Sequence, residues 1–236
     1  MVDKLEEIGL KIIRAGGLEI RDVDSGEEPF LYSSGNHGPG YVMIKGLVGQ
    51  PSVLEYLTGQ LASKMLTLGV DREFDFIAGN ATGGMVPGWQ LRNDLELLTG
   101  REIPYVYVRE TRKIGGHKEH ITGDRNNPLI NIDDRALVFE ELVNFAETTT
   151  NSAKVLREAG YRADVAGTIL NYQNPKAQRS LDEAGVRLTY LIGLPDLIDV
   201  AESTRSFKRE AVQSYRDFLT DPVKWQVDRD YELPKK

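Results

Sequence analysis

The chain has 236 residues, 40% of them hydrophobic and 28% charged, with a formal net charge of −7 and no cysteine. That length fits one ordinary domain with a small appendage. The acidic balance, with no basic run longer than Arg112-Lys113, argues against nucleic acid as the main partner, and the lack of cysteine excludes disulfides, thiol chemistry and cysteine-ligated metals.

No apolar run approaches the roughly 18 residues of a membrane span. The first residues form a charged amphipathic segment rather than a signal peptide, so a soluble cytoplasmic protein with no membrane partner is expected. Leu5, Ile8, Ile12 and Ile13 have helical spacing, and Gly16-Gly17 stops that helix. Residues 18–49 are predicted to form a small β-rich lobe, with Ser33-Ser-Gly-Asn-His-Gly-Pro-Gly40 as an extended loop. Leu54, Leu57, Leu61, Met65 and Leu68 mark a second helix that ends at Gly69.

From there strands and helices alternate. Strands are predicted over 74–78, 105–108, 136–139, 165–170 and 188–192. Helices are predicted over 84–98, from Thr148 to Gly160, and around 177–184. About five strands with intervening helices predict an α/β fold built on a parallel, doubly wound sheet. In such sheets ligands bind beyond the carboxyl ends of the strands. The expected organisation is an N-terminal helix and hood lobe (1–49), an α/β core (50–205) and a C-terminal helix or tail (206–236) that includes Trp225.

Three segments at those strand ends carry the chemistry. Gly79-Asn-Ala-Thr-Gly-Gly84 joins a strand to a helix; its glycines let the backbone approach an anion and Thr82 adds a hydroxyl, although the same turn would serve as a plain connection. Residues 109–123 are polar, rich in cations and hinged by glycines, as a lid over an anionic substrate would be, or a solvated loop. Arg109 and Lys113 would neutralise charge developing on a leaving phosphate. His117 and His120 have the spacing of a weak metal pair, and His37 fits a surface position. In the third segment, Ala136-Leu-Val-Phe leads into the adjacent acids Glu140 and Glu141, and the run Thr148-Thr-Thr150 opens a helix. Adjacent carboxylates raise each other's pKa and persist where a metal, a cation or ligand hydroxyls meet them. A helix N-terminus with hydroxyls holds a phosphate.

Together these segments resemble the type I phosphoribosyltransferases, and most closely the orotate phosphoribosyltransferase family, from about residue 5 to 202. Phe30-Leu-Tyr-Ser-Ser-Gly35 and Pro39-Gly-Tyr41 look like that family's N-terminal lobe motif. Ala81-Thr-Gly-Gly84 matches its pyrophosphate loop, Val108-Arg109 with Lys113 its catalytic lid, and 136–160 its phosphoribosyl-pyrophosphate motif. The resemblance implies transfer of a free base, orotate first, to C1 of phosphoribosyl pyrophosphate with release of pyrophosphate, in pyrimidine biosynthesis. It implies that Arg109 and Lys113 bind pyrophosphate, with Lys113 reaching across a homodimer interface. By the same implication Glu140 and Glu141 hold the ribose hydroxyls, Thr82, Gly83 and Gly84 line the pyrophosphate loop, and Thr148 and Thr149 take the 5′-phosphate, with Thr150 as a further substrate-binding residue. Tyr41 and Tyr172 would also contact substrate. Mg²⁺ would bind through the pyrophosphate, with no protein metal ligand.

Several positions depart from the pattern. Glu141 replaces the usual Asp, Asn144 and Phe145 stand where small hydroxyl residues are common, and Ala146 and Glu147 replace loop glycines. At about 4 Å, in a partly screened site, Glu147 would repel a phosphate by roughly 4 kcal/mol. In the lid, Glu110 takes the place of a lysine and Gly115 that of a histidine. Asn171-Tyr172 stands for the family's Asp-Arg, which removes the cation expected for the orotate carboxylate and would permit a base without one. A catalytically lapsed relative that binds a nucleotide or a partner protein is the alternative.

Overall fold

Asp3 accepts a hydrogen bond from the Leu5 backbone N–H (3.3 Å) and so opens α1 (Lys4–Arg14), which buries Ile8 and Ile12. The structure is a computed structural model and describes residues 3–109 and 120–234. Two units divide the chain: Met1–Gly46 together with Pro195–Lys236, and Leu47–Leu194. After α1 the first unit pairs β1 (Leu18–Ile20) antiparallel to β4 (Gly40–Val42), and β2 (Phe30–Leu31) antiparallel to β3 (His37–Gly38).

The second unit opens with α2 (Pro51–Leu68), which has proline in its first turn and ends at Gly69 in the left-handed conformation (φ 73°). There follow β5 (Phe76–Asn80), α3 (Met85–Thr99), β6 (Tyr105–Val108), β7 (Ile121–Thr122), β8 (Arg135–Val143), α4 (Glu147–Glu158), β9 (Arg162–Asn171), α5 (Pro175–Glu183) and β10 (Arg187–Gly193). They form a six-stranded sheet in the order β10-β9-β8-β5-β6-β7, parallel throughout except for β7, which runs antiparallel along β6. Every residue of β5 is buried, as are Ala136 to Phe139 of β8, because helices cover a parallel sheet on both faces. Leu57, Leu61 and Met65 of α2, Leu91 and Leu95 of α3, and Ala153 and Leu156 of α4 complete that core.

The alternation read from the sequence gives the parallel α/β sheet, but β5 spans Phe76–Asn80 rather than 74–78 and β9 begins at Arg162 rather than at 165. A short sixth strand, β7, extends one edge. Strand β8 runs nine residues, through Val143, rather than stopping at Phe139. Glu140 and Glu141 break the apolar pattern but not the backbone ladder: Glu140 pairs with Thr168 and Leu142 with Leu170 of β9. The two acids therefore lie within a strand, and the helix after them starts at Glu147, one residue before the threonines.

The chain then returns to the first unit as α6 (Leu194–Ser203), α7 (Arg209–Thr220) and α8 (Pro222–Val227). Trp225 of α8 is 2% exposed; its indole N–H donates to Ser214 Oγ (2.9 Å), its ring meets Phe218 edge-on and Tyr231 face-on. The buried Gln226 amide accepts from the His37 backbone N–H (2.8 Å) and donates to Asn36 Oδ1 (3.3 Å) and the Pro222 carbonyl (2.8 Å). Arg229 grips Asp24 with two bonds of 2.8 and 2.9 Å. The last helices are thus part of the N-terminal unit's core. Among the described residues no helix is long and apolar enough to cross a membrane.

Candidate functional site

The carboxyl ends of β5 and β8 are neighbours in the sheet, and that adjacency builds the site. At the end of β5 the chain turns through Ala81–Gly84 into α3, with a cis peptide between Ala81 and Thr82. The Ala81 N–H bonds to the Val108 carbonyl (2.8 Å) and the Gly84 N–H to the Asn80 carbonyl (2.9 Å), so the turn is anchored to β6 and to itself. From below, the Tyr105 phenol donates to the Met85 carbonyl at 2.6 Å; burial pushes its pKa upward, which keeps it a donor. Two glycines are required by what stands opposite. A Cβ on Gly83 would run into the Glu141 carboxylate, and one on Gly84 into the Phe139 carbonyl oxygen. Thr82 is exposed at the tip of the turn.

Glu140 lies between two donors. The Asn80 amide Nδ2 reaches its Oε2 at 2.9 Å, and the Glu141 backbone N–H lies 3.3 Å from its Oε1. Burial, first, and then the hydrogen bond and charge of the neighbouring Glu141 carboxyl push the Glu140 carboxyl up to about 9, while Asn80 pulls the other way. Among the described residues, Glu141 Oε2 and Asn80 Oδ1 are buried without a hydrogen-bond partner. The result is a cluster of acceptors short of donors. Sequence reasoning noted the 79–84 turn and missed Asn80 as a partner of the acids; the available signal was a polar residue closing an apolar strand.

Beyond β8 the loop through Asn144 and Phe145 enters α4. Ala146 takes the left-handed conformation (φ 64°, ψ 12°) that a glycine would adopt freely, and as the N-cap residue it has no side-chain group to cap the helix. A helix N-terminus favours an anion, because its first amides point along the helix axis away from their own turn. Thr149 is buried and Thr148 half-buried, whereas the Thr150 hydroxyl turns back to the Ala146 and Glu147 carbonyls (2.9 and 3.1 Å). Glu147 and Phe145 are exposed. Because a non-glycine residue in the left-handed region is strained by roughly 1 kcal/mol, Ala146→Gly should raise stability by about that amount, read from urea unfolding midpoints. A lower midpoint would show that the Ala146 methyl, buried here, packs more than it strains.

Arg109 follows β6. Its guanidinium donates to the Tyr107 hydroxyl (2.9 Å) and lies 5.2 Å from that ring's centre. Its backbone N–H bonds to the His120 carbonyl (2.8 Å). Lys113 and His117 lie outside the described residues. Beyond β9, Tyr172 is half-buried and its N–H bonds to the Val143 carbonyl (2.8 Å), next to the amides of Asn144, Asn171 and Asn174. Tyr41 belongs to the first unit, its ring 5.4 Å from Phe30 and 6.4 Å from Tyr32. No group of three or more His, Asp or Glu among the described residues is arranged to hold a metal ion.

A mostly parallel sheet with a glycine turn at the end of β5, and a carboxylate pair and a helix N-terminus at the end of its sheet neighbour β8, has the type I phosphoribosyltransferase fold. No protein-family model matches the chain. Over most of its length it is similar to the orotate phosphoribosyltransferases. That of Listeria monocytogenes serovar 1/2a is 29% identical over 199 residues, 84% of this chain and 88% of the relative. Among solved structures, the Leishmania donovani UMP synthase superposes with a TM-score of 0.72 at 20% identity, over 92% of this chain and 42% of that one. The orotate phosphoribosyltransferase of Mycobacterium tuberculosis in complex with 5-phospho-α-D-ribosyl 1-diphosphate superposes with a TM-score of 0.57 at 18% identity, over 83% of this chain and 99% of that one.

Proposed function

We propose that the chain is an orotate phosphoribosyltransferase, joining orotate to C1 of phosphoribosyl pyrophosphate and releasing pyrophosphate in pyrimidine biosynthesis. The observation that carries this reading is the half-buried Glu140–Glu141 pair, set against Gly83 of the turn and followed by the N-terminus of α4, to which the N-cap residue gives no side-chain hydrogen bond. The relatives named orotate phosphoribosyltransferase support it and do not favour a lapsed, purely binding role.

In this reading Glu140 and Glu141 accept the ribose hydroxyls, and the turn of Thr82, Gly83 and Gly84 cradles the pyrophosphate. The α4 amides with Thr148 and Thr149 hold the 5′-phosphate. Arg109, steadied by Tyr107, and Lys113 stabilise charge on the leaving group. Tyr172 and the amides around it offer neutral donors and acceptors to the base; Tyr41 is assigned to substrate by its motif. Mg²⁺ fits as an ion carried by the pyrophosphate, since the oxygen-rich carboxylate pair suits the sugar hydroxyls and a protein cage is not needed. When bound, it neutralises charge on the leaving pyrophosphate. The transition state resembles an oxocarbenium ion, so positioning and electrostatics supply most of the rate. The reading includes a cytoplasmic homodimer.

Calorimetric titration of phosphoribosyl pyrophosphate with Mg²⁺ should give micromolar affinity, followed by turnover with orotate. No heat at millimolar ligand would overturn the reading. Because Glu147 is exposed and solvent screens it, Glu147→Gln should tighten binding only about two- to fivefold. A gain of a hundredfold would place its carboxylate inside the phosphate pocket.

A further inference from the structure

Asn80 closes β5 with 1% of its surface exposed, and β5 lies beside β8, so its amide meets Glu140 across the strand pair at 2.9 Å. Each Glu140 oxygen then has one donor, from Asn80 Nδ2 and from the Glu141 backbone N–H. What remains unmatched among the described residues is acceptor capacity: Glu141 Oε2 and Asn80 Oδ1 are buried with no partner. Buried acceptors without donors are complementary to a ligand that brings hydroxyl protons.

Resting on the function proposed above, we infer that Asn80 is a positioning residue of the sugar site: its amide fixes the Glu140 carboxylate so that the Glu140–Glu141 pair can accept the hydroxyl protons of a ribose diol. An amide suits this role because it donates without neutralising the charge, where a lysine would form an ion pair and compete with the sugar. Among the described residues, the charged group that faces Glu140 is Glu141 on its own strand. Asn80 on β5 and Thr168, opposite on β9, are neutral. Asn80 therefore favours the ionised form of Glu140 against burial and against Glu141.

Asn80→Ala, Glu140→Gln and the double variant separate this role from simple packing. In the free protein, the Glu140 side-chain carboxyl followed by ¹³C NMR should titrate at higher pH in Asn80→Ala than in the unsubstituted protein. Affinity for phosphoribosyl pyrophosphate with Mg²⁺ should fall about tenfold at pH 7 and recover partly at higher pH. In the Glu140→Gln background the same change should cost much less. An unchanged titration midpoint, or equal losses in both backgrounds, would overturn the proposal. Should Asn80→Ala not fold, the isosteric Asn80→Asp serves, and it should raise the Glu140 midpoint further; an unmoved midpoint overturns the proposal there too. If the midpoint moves but the unsubstituted protein binds no phosphoribosyl pyrophosphate, the sugar role falls with the proposed function, while the coupling of Asn80 to Glu140 is still demonstrated.

Discussion

Glu140→Gln combined with Glu141→Gln is expected to weaken phosphoribosyl pyrophosphate binding by about a hundredfold or more, yet to make the free protein more stable at pH 8. The binding loss follows from two charge-assisted hydrogen bonds, each contributing about 1.5–3 kcal/mol. The stability gain follows from linkage. Burial and the neighbouring acid raise the folded-state pKa of Glu140 to about 9 from an unfolded value near 4.5. The folded protein therefore binds more protons than the unfolded chain between those limits. Stability from this group is fully present below about pH 4.5 and is lost as pH rises toward 9, with a slope of at most about 1.4 kcal/mol per pH unit. Glutamine carries no such proton and removes that slope. Urea unfolding from pH 5 to 9, with calorimetry at pH 8, measures both effects. If binding survives within threefold, or if the variant keeps the unsubstituted protein's pH slope, the acids are not the sugar-binding, proton-holding pair argued above.

Trp225→Ala is expected to lower stability by about 3–5 kcal/mol, which for a chain of this size lowers the unfolding midpoint by roughly 10 °C. Trp225 is 2% exposed, hydrogen-bonded to Ser214, edge-on to Phe218 and stacked on Tyr231, and Arg229 lies 4.4 Å from its ring. Truncation leaves a cavity and an unpaired Ser214 hydroxyl, and it loosens Gln226, which holds the 36–37 turn. Trp89 provides the contrast. It is half exposed on α3, so Trp89→Ala should cost far less in the same thermal scan. Equal losses for the two would mean that α8 is an appended arm rather than part of the first unit's core.

How much of this was legible beforehand differs between fold and site. Apolar periodicity is a local property of the chain, so the sequence determined the order of helices and strands from Leu54 to Ile192, apart from the short edge strand β7, together with the limits of β6 and the glycine at 69 that ends α2. It also brought forward the three segments at the strand ends, because hydroxyls, acids and glycines interrupt apolar runs there. Tertiary structure alone decided which of those segments are neighbours. Asn80 and Glu140 are 60 residues apart and meet because β5 and β8 are adjacent. For the same reason Gly83 cannot carry a side chain beside Glu141. Strand continuation through Glu140 and Glu141 depends on backbone pairing with β9, which side-chain polarity does not reveal. The place of the last helices was hidden likewise, since Gln226 and Arg229 find their partners 189 to 205 residues away, at His37, Asn36 and Asp24, and Trp225 finds its own on another helix, at Ser214. Periodicity specifies elements; contacts between elements distant in sequence specify the site.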